Sequence, residues 1–167
     1  RLTGASAWSL ALWGLIVMSV LTLLHSPALQ SRWPIAARPT AYRPGAASVL
    51  AVVLMGWLWA SSMSPEALET GIRYLPIVNP VDLCVAAAAL TLGIWWRADH
   101  TPGSAWRTGA VAVSLFFALN AIVLRAVAHF GAIPYDFDSL ADSATAQTAI
   151  SLGGLTGAVM LGLGRAM

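Results

Sequence analysis

Arg125 and His129 stand four residues apart inside an otherwise apolar stretch, so on a helix they share one face. Asp136, Asp138 and Asp142 follow in a short loop, and Asp82 opens another apolar stretch earlier in the chain. These residue types define a specific chemistry. A guanidinium is a planar fork that can hold a phosphate or carboxylate through two bonds. An imidazole titrates near neutral pH and can pass a proton, and an acid such as Asp136 or Asp138 can orient it. Ionisable groups at membrane depth are costly and therefore mark functional candidates. Arg125, His129, Asp136, Asp138 and Asp82 are accordingly the candidate polar site. A structural reading competes with it. Arg125 lies about a turn from the end of its stretch, can extend to the interface, and can pair with Asp136 or Asp138. His129 would then bond to backbone. The structural reading needs fewer assumptions and is preferred.

The elements that would position this set are five apolar runs. They cover Ala5–Leu24, Ala46–Met63, Val81–Trp96, Ala110–Phe130 and Ala144–Leu163. A membrane-crossing helix needs about 20 residues, and four runs meet that. Val81–Trp96 is shorter and rich in Ala. Of 167 residues, 58% are apolar and only 10% charged, too few charges to cover a water-facing globule, where about 25% is usual. The expected fold is all-α, a polytopic bundle of about five transmembrane helices forming one domain over 1–167.

Loop charges orient the bundle. Arg32, Arg38 and Arg43 lie between the first two runs, Arg97 and Arg107 between the third and fourth, and Arg165 after the fifth. Glu66, Glu69 and the three loop acids fall on the other side, with Arg1 and Arg73. Basic residues collect on the cytoplasmic side of short loops, which predicts the N-terminus outside and the C-terminus inside. That alternation requires the third run to span. It also separates His25 and His100 from His129, so no multi-histidine metal site or bis-histidine haem is expected. No cofactor is implied. All nine basic residues are Arg, scattered at membrane edges rather than clustered on one face, which argues against nucleic acid. Cys84, the single cysteine, has no intrachain disulfide partner.

Local signals refine the runs. In "NPVDL", Asn79 can cap a helix, Pro80 takes its first position, and Asp82 complements the positive end of the helix dipole. Capping outweighs a ligand role for Asp82. "IRYLPIV" before it is broken by Pro76 and is too short to span; it is expected along the outer interface. Trp95, Trp96 and Trp106 are expected at headgroup level, and Trp13, Trp57 and Trp59 as packing residues. Gly153 and Gly157 in the fifth run permit close helix approach, read as intrachain packing in preference to a dimer. Gln147, Thr148, Ser151 and Asn120 are expected to bond to neighbouring helices.

Two stretches together, "RYLPIVNPVDL" and "LRAVAHFGAIPYDFDSLADSATAQTAISL", with "RWP" at Arg32–Pro34, resemble a family of large bacterial multi-pass membrane proteins. That family is catalogued only as a domain of unknown function. The match is carried by Tyr74, Leu75, Pro76, Asn79, Pro80 and Asp82, then by Arg125, His129, Pro134, Asp138, Leu140, Ser143 and Gln147. Tyr135 departs from it, since the family pattern has Trp after the Pro. The resemblance implies membrane class and no particular chemistry. Its members are much longer, which implies a fragment or a reduced relative. The expected function is a structural or scaffolding protein of the bacterial inner membrane, with a cell-envelope assembly as its expected setting. Its partners would be membrane lipids, other membrane subunits or the remainder of a longer chain. The alternative is an envelope enzyme or carrier that binds an anionic lipid or glycan at the outer face through Arg125, His129 and the nearby acids.

Overall fold

The computed structural model describes residues 5–68, 75, 78–98 and 105–154. The described residues are helical and contain no strand. Four long helices form the body: α1 (Ala5–His25), α3 (Ala47–Met63), α4 (Pro80–Ala98) and α5 (Ala105–Gly131). Short helices α2 (Pro27–Gln30) and α6 (Phe137–Asp142) lie in connections, and residues 144–154 are again helical. Helices α3 and α4 touch each other, and each packs against both α1 and α5.

The buried face of each long helix repeats at intervals of four and three. In α1 it is Ala7, Ala11, Gly14, Met18 and Leu21; in α3, Ala47, Ala51, Leu54, Leu58 and Ser61. In α4 it is Val81, Val85, Ala88, Leu92 and Trp95; in α5, Val111, Ser114, Ala118, Ala121, Arg125 and Ala128. This spacing keeps one seam of each helix turned to its neighbours. Many seam residues are small, which lets backbones approach closely where lipid removes the usual drive for apolar burial. The opposite faces are just as apolar. Trp13, Ile16, Val49, Leu90, Ile94 and Leu119 all stand exposed. A surface of that kind is matched by acyl chains rather than by water.

Three described stretches are long and apolar enough to cross a membrane: Ala7–His25, Ala41–Met63 and Thr108–Gly131. The second begins earlier than its run predicts. Pro44 lies inside a π-helical turn, Ala41–Ala46, that leads directly into α3. Proline has no N–H and crowds the carbonyl four residues back. The wider π turn accommodates it, and the Ala47 N–H reaches back five residues to the Tyr42 carbonyl. Helix α4 extends beyond the Val81–Trp96 run to 19 residues. Its many Ala residues lower its hydropathy, and they are what allow it to pack among three neighbours.

Two tryptophan expectations need correction. Trp95 is only 1% exposed and lies inside the bundle, because it occupies the seam of α4. Trp13 is 64% exposed and faces outward. Trp57 does pack: its indole lies against Gly14 of α1 and donates to the Leu10 carbonyl at 2.9 Å. Trp59 approaches the Phe117 ring at 6.1 Å. Thr148 donates to Ala144 and Ser151 to Gln147 within their own helix, whereas Gln147 donates to the Ala141 carbonyl of the adjoining α6. Asn120 likewise donates to Phe116 in its own helix. Gly153 sits against the Asn120 side chain, which places 144–154 beside α5. Gly157, Pro76 and the end of the fifth run lie outside the described residues.

At Gly14 the Trp57 side chain of α3 lies directly against α1. A methyl group there would overlap the Trp57 indole, which the hydrogen bond to Leu10 holds in place. We expect Gly14→Ala to destabilise the bundle by about 1–3 kcal/mol. Gly93→Ala, where the added carbon meets nothing within 4 Å, should be neutral or stabilising. Thermal unfolding of both variants in detergent micelles checks the contrast.

Candidate polar site

The site is assembled from three helix ends. Residue Asn79 caps α4, its Oδ1 accepting from the Val81 N–H at 2.9 Å. Pro80 follows at the first helical position, where its missing N–H costs no bond. Asp82 then falls on the first turn of α4, beside the seam residue Val81, and is completely buried. On α5, Arg125 follows Ala118 and Ala121 in the seam, so its side chain points into the bundle. It too is 0% exposed. Its Nη1 donates to Asp82 Oδ1 in an ion pair, and its Nη2 donates to the Ser61 carbonyl at 2.8 Å. One guanidinium therefore joins α5 to α4 by charge and to α3 by a backbone bond.

The loop after α5 returns to the same place. Ala132 takes a left-handed conformation, φ 51°, and the Ile133 N–H bonds to the Ala128 carbonyl at 2.9 Å. This is the usual way a helix ends, although here Ala stands where Gly costs less. The turn directs Tyr135 back across the end of the bundle, where its hydroxyl donates to the Ser62 carbonyl at 2.8 Å. Burial pushes the Tyr135 phenol above its ordinary pKa, and the nearby Arg125 charge pulls it partly back. The phenol therefore remains a donor across the neutral range. Nothing in the sequence singles out Tyr135 for this bond. Its hydroxyl is what an aromatic ring alone could not supply.

The candidate residues thus fall into two groups. Asp82 and Arg125 are brought together. Asp136 is not part of that cluster; it caps α6, accepting from the Ser139 N–H and hydroxyl, both at 2.9 Å. Those bonds, the backbone one first, hold its carboxyl below the usual range. Asp138 is exposed in the first turn of α6. His129 is also exposed, with its ring edge-on to Phe130 at 5.3 Å between centroids. Arg125 pairs with Asp82 rather than with Asp136 or Asp138, because the seam register turns it inward instead of toward the interface. Glu69 and Arg73 lie outside the described residues. Among the described residues, no group of three or more His, Cys, Asp or Glu is placed to hold a metal ion.

Chemically, this arrangement neutralises charge rather than presenting it. The fork of Arg125 already holds a carboxylate and a carbonyl, and neither partner of the ion pair meets solvent. The family model described as Predicted membrane protein (DUF2339) matches residues 2–166. No curated protein and no solved structure matches the chain.

Removing one member of a buried ion pair leaves an uncompensated charge, at a cost of about 3–5 kcal/mol. We expect Asp82→Ala and Arg125→Met each to lose about that much stability, and the double variant to lose much less than the sum. A double-mutant cycle by thermal unfolding in micelles measures the coupling. Additive losses would show that the two side chains act independently.

Proposed function

The chain belongs to the family of predicted membrane proteins of unknown function, and from that membership we propose that it is a structural module of the bacterial inner membrane. In this reading one domain crosses the bilayer five times, N-terminus outside, and gives a packing surface to the rest of a longer polypeptide or to neighbouring subunits. The observation that carries the reading is the Arg125–Asp82 pair. The buried charge of Arg125 is used to fasten α4 to α5, with Ser61 tying in α3. A carrier or enzyme for anionic lipids would need that guanidinium to be open to its ligand.

The orientation has its own support. The end of α3, the start of α4, the end of α5 and α6 with its two acids share one end of the bundle. Loop residues Arg32, Arg38 and Arg43 connect the opposite ends of α1 and α3. The positive loop belongs inside and the acidic one outside.

For the structural role, the whole protein carrying Arg125→Gln should accumulate in membranes at a fraction of the normal level, while His129→Ala accumulates normally. Quantitative blotting of the membrane fraction reads both. An Arg125→Gln protein that reaches full level yet abolishes a defined cellular activity would overturn the structural role. For the orientation, Phe137→Cys should react with a membrane-impermeant maleimide added to intact spheroplasts. Ala37→Cys should react only after the membrane is opened, and the reverse pattern would invert the topology.

A further inference from the structure

A groove of about 750 Å³ runs along the outside of the bundle between α4 and α5. Ala86, Ala89 and Gly93 line it on α4, and Ala112, Leu115 and Leu119 on α5. Small residues on α4 make the depression, since nothing lies within 4 Å of a methyl group built at Gly93. The helical segment 144–154 does not fill it. That segment meets α5 at Asn120, on the face carrying Phe116, Phe117 and Leu124, away from the groove.

The groove has a polar end and an apolar end. Arg97 is the one charged side chain among the described residues that line it. Beside it the Trp96 indole donates to the Thr108 hydroxyl at 3.2 Å, and both of these residues also line the groove. An indole with a polar partner is typical of headgroup level. From Arg97 to Ala86 the lining is otherwise apolar, and along a helix that distance is about 16 Å. Half of a hydrocarbon core of roughly 30 Å is about the same. A transmembrane helix docking here would need apolar contact through both leaflets. On α5 the lining runs from Thr108 to Ile122, about 21 Å, still short of the full core. A groove that ends within the bilayer, with a cation at its mouth, fits a lipid.

We propose that this groove binds an anionic phospholipid, one acyl chain lying along Ala86, Ala89 and Gly93 and the phosphate meeting the Arg97 guanidinium. A phosphate suits the planar fork of Arg. The binding is separate from the Arg125–Asp82 pair, which lies in the interior near the opposite ends of the same two helices. It rests on α4 and α5 standing in a bilayer, which the maleimide labelling tests independently.

The test uses the whole purified protein, native mass spectrometry, and an equimolar mixture of phosphatidylglycerol and phosphatidylcholine. One phosphatidylglycerol should be retained with about fivefold preference, the amount expected from one Arg near an anionic headgroup. Arg97→Gln should bring the preference close to one while leaving thermal stability unchanged. Gly93→Leu has room for its side chain and should lower retention of both lipids. Equal retention of the two lipids by the unaltered protein would overturn the proposal, as would an unchanged preference in Arg97→Gln. A dimer of this chain that carries no retained lipid would also overturn it and assign the groove to a second copy.

Discussion

A buried charge in an apolar bundle is tolerated only with a partner, and that constraint organises this structure. Arg125 lies about 9 Å from the end of α5, completely out of contact with solvent. In a low-dielectric interior an isolated ion of this kind is prohibitively costly, and attraction to an equally buried carboxylate offsets much of the cost. The pairing therefore ties the depth of α4 to that of α5. Sliding either helix by one turn would leave two buried charges apart. The second guanidinium bond, to the Ser61 carbonyl, imposes the same condition on α3. Apolar packing alone would tolerate such slips, since Ala and Leu seams offer similar contacts at several registers. The ion pair contributes specificity of register more than net stability.

The seams explain what could be read from the chain and what could not. The helices themselves are legible as apolar runs, and their existence needed only length and composition. Which face turns inward is harder, because lipid-facing and core-facing positions are both apolar. Here size distinguishes them better than polarity. Ala47 and Ala51 turn inward while Val49, Val52 and Val53 of the same helix turn outward. Helix α4 illustrates the cost of reading hydropathy alone. Its run looks marginal because Ala contributes little apolarity, yet Ala88 and its neighbours let it sit among three other helices. Trp95 was read as interfacial from its place near the run's end, but it stands three residues from Leu92 and seven from Ala88, in the seam.

The site was legible in its members and not in its pairing. Arg125 and Asp82 each stood out, one as a charge in an apolar run, the other as a first-turn acid. Local rules then favoured the nearest partners, Asp136 or Asp138 for Arg125 and the helix dipole for Asp82. Pairing across 43 positions cannot be inferred from proximity in sequence. The missing signal was register: Ala118, Ala121, Arg125 and Ala128 continue one spacing of small residues, which points the guanidinium inward. Tyr135 was missed for a related reason. Its hydroxyl finds the Ser62 carbonyl only because Ala132 adopts a left-handed turn and sends the loop back over the bundle.

These features give the two ends of the bundle different characters. At one end polar groups pair internally: Asp82 with Arg125, and the Ser61 and Ser62 carbonyls with Arg125 and Tyr135. At the surface of that end Asp136 caps α6, Asp138 stands in its first turn and Asp142 is its last residue. Toward the other end α4 carries Arg97 on its exposed side, where the guanidinium borders an apolar groove. Two arginines in similar helices thus meet opposite electrostatic conditions. Arg125 is committed to a partner by burial, and altering it disturbs the fold. Arg97 is exposed, so a mobile anion can reach it. Recognition of a mobile anionic molecule calls for the second kind of residue. In this bundle the charge that is conspicuous in the sequence maintains the architecture, and the inconspicuous one at a helix end is better placed to bind.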